Sequence, residues 1–321
     1  MKKLSVLLSL LLVFSLVLGG ASACAAAEEP VRVITLNGTT GFGLAGLIAA
    51  NEAGETDQAY SFSVETDASN ITAALVSGDC DIGTLPTNAA GALCNKTGGK
   101  VQVIALNTLG VLYVVTDGSV EVKSFADLDG QTVYAPAQNP TFLFQALCDA
   151  NNVNVTIDNS YAQPAALNTA VTAGEVAVAV LPEPLLTSAR IQNPELQVVL
   201  DLTEEWNKVF PADSLVQGCA VVRTEFAQEH PEAVAAFLED YAASVQLTKD
   251  DPAKAAQCIE AAGIFPKAAV AEKALPHCNI CFIAGEEMQE KLSAFYDILK
   301  EVAPQSIGGA VPGEDFYWIA K

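Results

Sequence analysis

One phrase occurs twice in this chain. Ala74 to Thr87 (Ala-Leu-Val-Ser-Gly-Asp-Cys-Asp-Ile-Gly-Thr-Leu-Pro-Thr) lies over Ala170 to Glu183 (Ala-Val-Thr-Ala-Gly-Glu-Val-Ala-Val-Ala-Val-Leu-Pro-Glu) at a constant offset, 170 − 74 = 96. Each copy reads as a helix ended by glycine, an acidic residue, a buried strand and a closing proline. Any helix–glycine–strand unit shares part of this pattern. Its recurrence predicts two similarly built lobes and puts Thr87 and Glu183 at corresponding points, just past the carboxyl end of a strand. Ligands of open α/β sheets bind there.

The rest of the chain follows the same rhythm. Apolar strands are expected at Val31 to Leu36, Tyr60 to Glu65, Ile82 to Leu85, Val101 to Leu106, Thr132 to Ala135 and Val176 to Leu181. Helices are expected between them: Leu44 to Asn51, Ile71 to Val76 capped by Ser69-Asn70, Asn88 to Cys94, and Phe142 to Ala150 capped by Thr141. From Thr224 onward the pattern is mostly helical. Strands alternating with helices predict an α/β protein with mainly parallel sheets.

The first residues bear on the compartment. Met1-Lys2-Lys3 is basic, Leu4 to Leu18 is almost unbroken apolar, and small residues lead to Cys24. This predicts a secretory signal peptide over 1–23, with 24–30 as a tether. Cys24 after Ala21-Ser22-Ala23 resembles a bacterial lipobox and is expected to be lipidated. Ala21-x-Ala23 and Ala25-x-Ala27 also fit ordinary cleavage. The expected location is extracytoplasmic, as a cell-surface lipoprotein or a periplasmic protein.

Formal net charge is −22, and removing Lys2 and Lys3 takes it to −24. So acidic a surface argues against nucleic acid and anionic lipid as partners, leaving a lipid anchor as the one membrane contact. The eight cysteines are scattered, and Cys80, Cys148 and Cys219 fall in or beside apolar segments, which reads as buried free thiols. Cys278-Asn279-Ile280-Cys281 beside His277 lacks the further ligands that a structural zinc site needs. No metal or cofactor is expected.

The order of these features, with Ser124-Phe125-Ala126-Asp127-Leu128-Asp129-Gly130-Gln131-Thr132-Val133-Tyr134, Ala173-Gly174-Glu175, Leu181-Pro182-Glu183-Pro184 and the ending Ser306 to Tyr317, resembles the ABC-importer solute-binding proteins of the nitrate/sulfonate/taurine type. That group includes binders of thiamine-pyrimidine precursors. The resemblance implies the type II periplasmic-binding-protein architecture: lobe I over 31–107 and 218–321, lobe II over 108–217, and two crossover strands. It implies a monomer without catalytic activity that captures a small-molecule ligand between the lobes and delivers it to ABC permease subunits. Two alternatives remain open: an enzyme on the same fold, a menaquinone-pathway lyase or pyrimidine-forming enzyme, or a ligand-sensing receptor component.

The candidate ligand contacts lie on strand-to-helix turns. They are Thr39, Thr40, Gly41 and Phe42; Ser69 and Asn70; Thr87 and Asn88; Gln138, Asn139 and Thr141; and Glu183. Free backbone N–H groups at such helix starts favour a polar or anionic group, and an ordinary turn has the same composition. Glu183 has two readings, ligand contact or cap of the following helix. Beyond the leader the arginines are Arg32, Arg190 and Arg223, none in these turns. A bidentate clamp for a strong anion is therefore not expected, which favours a neutral or amine-bearing nutrient.

Overall fold

The computed structural model describes residues 29–320; the leader and Cys24 lie outside them. The strands are β1 (Val31–Leu36), β2 (Tyr60–Glu65), β3 (Ile82–Pro86), β4 (Val101–Thr108), β5 (Leu112–Thr116), β6 (Thr132–Tyr134), β7 (Thr156–Asp158), β8 (Val178–Pro182), β9 (Gln197–Asp201), β10 (Gly218–Arg223) and β11 (Ile280–Ile283). The helices are α1 (Thr39–Phe42), α2 (Ala45–Ala53), α3 (Ala68–Ser77), α4 (Thr87–Thr97), α5 (Asn139–Asn151), α6 (Pro164–Thr172), α7 (Leu185–Gln192), α8 (Leu202–Val209), α9 (Thr224–Glu229), α10 (Pro231–Asp250), α11 (Pro252–Ala261), α12 (Ala268–Ala274) and α13 (Gly285–Val302).

Two mainly parallel sheets result, ordered β11-β4-β10-β3-β1-β2 and β7-β6-β8-β5-β9. In the first, β1 to β4 share a direction and β10 and β11 oppose them. In the second, β6 to β9 share a direction and β5 opposes them. The chain leaves β4 and enters β5 after only Leu109-Gly110-Val111, and it returns through Val216 and Gln217 into β10. Because β4 points out of its sheet and β5 runs against its neighbours, the parallel strands of both sheets aim their carboxyl ends at the crossings. The register agrees: Pro86 at the end of β3 pairs with Gly218, and Pro182 at the end of β8 pairs with Leu112.

The crossings are bonded to each other. Gln217 N donates to Thr108 O at 2.9 Å, and Val111 N donates to Gln217 Oε1 at 2.8 Å. Asn279 joins them, donating Nδ2 to Gly110 O at 2.6 Å and accepting from Leu109 N at 3.1 Å. Contacts knit the chain from Val31 onward into one compact unit.

Side chains alternate across a strand, and both faces of each sheet are covered. On β5, Leu112 and Val114 join a core shared by the two sheets, whereas Tyr113 and Val115 face the outer core with Leu167 and Leu186. On β8, Val178 and Val180 face the shared core and Ala179 and Leu181 the outer one. Trp206 and Phe295, centroids 6.0 Å apart, fill the shared core. A third core, with Phe42, Phe237 and Tyr241, covers the first sheet's other face. Two-sided burial explains why these strands read as unbroken apolar runs.

Several expectations shift. Asp67, not Ser69-Asn70, caps α3: its side chain accepts from Ser69 N at 2.8 Å, and Ser69 and Asn70 lie within the helix. Thr141 is no cap either, because α5 starts at Asn139 and the Thr141 hydroxyl donates to Pro136 O at 2.7 Å. The strand-to-helix turn expected to hold Thr39 to Phe42 is itself the single helical turn α1. β11 interrupts the helical tail, and α8 with its Asp201 cap went unread. The seven described cysteines are free. Cys278 and Cys281 are buried in different cores, so their closeness in sequence does not bring them to a common centre.

Candidate functional site

The candidate site lies where the carboxyl ends of the two sets of parallel strands point at each other. Helix α4 starts directly after β3, and α5 starts a short loop after β6. Neither first turn has a side-chain cap; in α4 the Thr87 N–H is taken instead by Gln217 O at 3.1 Å, and the N–H groups that follow lack the usual side-chain device. Each start carries an asparagine more than nine-tenths buried, Asn88 on α4 and Asn139 on α5, both 8 % exposed. The amide oxygen of each has no hydrogen-bond partner. An enclosed unpaired oxygen costs about 1–3 kcal/mol, which a donor arriving between the sheets would relieve. The Thr203 hydroxyl, in the first turn of α8, is likewise unpaired and packs against Gly110 of the first crossing. Sequence reasoning missed Thr203, although Asp201-Leu202-Thr203-Glu204 carries a helix-start signature.

Gln138 precedes α5 and adopts φ 68°, ψ −132°. That region is nearly reserved for glycine, and a side chain held there stores about 1–3 kcal/mol of strain. Its side chain is exposed. Gln138→Gly is therefore expected to stabilise the fold by about 1 kcal/mol in urea unfolding while weakening binding of any ligand that the amide touches.

Other sequence candidates are already engaged. Thr87 is fully buried; its hydroxyl donates to Val216 O at 2.7 Å, and its carbonyl accepts from Tyr296 OH at 2.7 Å. Both contacts fasten α4 to its surroundings. The Glu183 carboxylate accepts from Thr187 N at 3.0 Å and from the Thr187 hydroxyl at 2.9 Å, so it is engaged by the first turn of α7, whose cap position is Pro184. Burial pushes its pKa up, against the lowering effect of those two bonds. Thr39 O and Thr40 O accept from Thr108 Oγ1 and Asn107 Nδ2. Gly41 sits where a Cβ would collide with Leu36 O, and Phe42 is a core residue edge-on to Phe265. Asn70 donates to Glu65 Oε2 at 2.9 Å and is exposed, as is Ser69.

Two of the three arginines are held at the other end of the first sheet. Asp81, just before β3, accepts from Arg32 through Nε at 2.9 Å and a terminal nitrogen at 2.6 Å, and from Arg223 at 2.9 Å. Arg190 borders a separate pocket of about 440 Å³ with Tyr113, Glu183, Lys273 and His277.

A sequence profile described as "Menaquinone biosynthesis" matches residues 183–301, less than half of the chain. No curated protein sequence matches significantly. Among solved structures, an ABC transporter protein from Parabacteroides distasonis is 21 % identical, with a TM-score of 0.78 over 92 % of this chain and 100 % of that one. The periplasmic aliphatic sulphonate binding protein SsuA from Escherichia coli is 15 % identical, TM-score 0.72, over 92 % and 94 % of the two chains. A Candida albicans protein described as having the generic periplasmic binding protein fold is 13 % identical, TM-score 0.58, over 90 % and 93 %. Sheet order, paired crossings and these likenesses agree: the chain has the two-sheet α/β fold of the periplasmic binding proteins.

Proposed function

We propose that this chain is the extracytoplasmic solute-binding component of an ABC importer. It captures a small organic nutrient between lobe I (31–107 and 218–321) and lobe II (108–217) and passes it to permease subunits. The observation that carries this reading is the pair of uncapped helix starts, one after each sheet's strands, each with a buried asparagine lacking a partner. The likeness to an ABC transporter protein and a periplasmic sulphonate binding protein supports it. The ligand is neutral or amine-bearing, because Arg32 and Arg223 are committed to Asp81. A thermal-shift screen of nutrients on the purified protein tests the proposal. A ligand at a hundred times its Kd should stabilise the fold by about 2.7 kcal/mol. A screen without any stabilising nutrient counts against it.

The menaquinone-biosynthesis match favours a second reading, an enzyme on this fold. Mass spectrometry of the ligand recovered after incubation separates the two: unchanged ligand supports capture, and a converted one supports catalysis.

Cys24 is the proposed anchor. Cys24→Ala is expected to move the protein from the membrane fraction to the soluble one. Wild-type protein already soluble, with an unmodified N-terminus, would refute the anchor.

A further inference from the structure

The pocket bordered by Arg190 lies between α7, which follows the second sheet's β8, and the segment from α12 to His277, which precedes the first sheet's β11. Its volume of about 440 Å³ suits a small organic molecule. Arg190, Lys273 and the His277 imidazole line it, and none of the three side chains has an ion-pair or hydrogen-bond partner among the described residues. Other described lysines also stay unpaired; what sets these three basic side chains apart is that they line one pocket, on a molecule with 38 acidic side chains against 16 lysines and arginines. Arg32, Lys123, Lys208, Arg223 and Lys291 all pair with carboxylates. The one acid at the pocket, Glu183, has both oxygens occupied by Thr187.

The remaining wall is apolar, with Leu186, Ile191, Pro194 and Val198. Ile191 is 48 % and Val198 39 % exposed, two of the few large apolar side chains that face solvent. Unpaired cations beside exposed aliphatic carbons match a molecule with one anionic and one apolar end. We infer that this pocket binds a small amphiphilic carboxylate, its charge on Arg190 and Lys273 and its hydrocarbon on Ile191 and Val198. Tyr113 OH, which donates to His277 O at 3.0 Å, already joins the two walls. A ligand here adds a further tie between these two walls. The site goes beyond the proposed nutrient site and shares with it only the sequence candidate Glu183.

Hexanoate titrated into methyl-labelled protein tests this, with hexanol as the uncharged control. The Ile191 and Val198 methyl shifts should saturate with hexanoate and respond far less to hexanol. Arg190→Gln with Lys273→Gln should weaken hexanoate at least about tenfold, the loss expected for a charge-assisted hydrogen bond. Asn88→Ala with Asn139→Ala should leave the hexanoate response intact, which separates this pocket from the nutrient site. Equal responses to hexanol and hexanoate, no response, or a hexanoate response indifferent to the Arg190 and Lys273 changes would each overturn the inference.

Discussion

Asp81→Asn is expected to cost about 3–5 kcal/mol of folding stability in denaturant unfolding, the range for removing one partner of a buried ion pair. The Asp81 side chain is 4 % exposed, and Arg223 beside it 17 %. Burial by itself would raise the Asp81 pKa. The Arg32 guanidinium and backbone N–H and the Arg223 guanidinium outweigh it and hold the carboxyl below its ordinary value. The asparagine keeps the shape but leaves two guanidinium groups without their counter-charge. Arg32 is 43 % exposed and can rehydrate, so the lower half of the range is expected. A carboxylate with a lowered folded-state pKa contributes stability above its unfolded pKa, near 3.9, and loses it as pH falls through the folded value. The gap between wild type and Asp81→Asn should therefore be full at neutral pH and close in strong acid. A pH-independent gap would mean that shape, not charge, holds this corner.

The Asn88→Ala/Asn139→Ala pair is expected to weaken nutrient binding about a hundredfold, with little loss of stability. If each asparagine gives the ligand one hydrogen bond, as the proposed site requires, each is worth about 0.5–1.5 kcal/mol when neutral and more when charged, so the pair approaches two decades. Folding should barely suffer, because each substitution also removes an enclosed oxygen that now lacks a partner. This opposition, lost affinity with retained stability, is the mark of a group kept for binding. Calorimetric affinity and urea unfolding on the same variant measure it. A variant that loses stability and keeps affinity would return both residues to a packing role.

The elements were legible because their signals are local. Val31–Leu36 and Tyr60–Glu65 have the bounds that their apolar patterns suggest, and the twofold phrase marks β3 and β8, both short and buried. Strand-end glycines and prolines also gave the turns that carry Asn88 and Asn139. Helix starts were less legible: Asp67 outcompeted Ser69-Asn70 as a cap because its carboxylate reaches the second-residue N–H, which no pattern of residue types distinguishes.

What each candidate side chain does was decided only by the tertiary structure. Thr87 and Glu183 occupy matching positions in the phrase, yet one hydroxyl is spent on Val216 and the other group on Thr187. Those partners are set by where the second crossing and α7 come to rest. The opposed carboxyl ends of the strands follow from two crossings that run side by side, bonded through Gln217 and Asn279, and those residues are distant from each other in the chain. The Arg190 pocket is likewise invisible in sequence, since Lys273 and His277 reach it from a segment some eighty positions away (273 − 190 = 83). Local propensity and apolar periodicity determine strands, helices and their order. Which polar groups find partners, and which are left for a ligand, depends on contacts between distant segments, and those exist only in the folded chain.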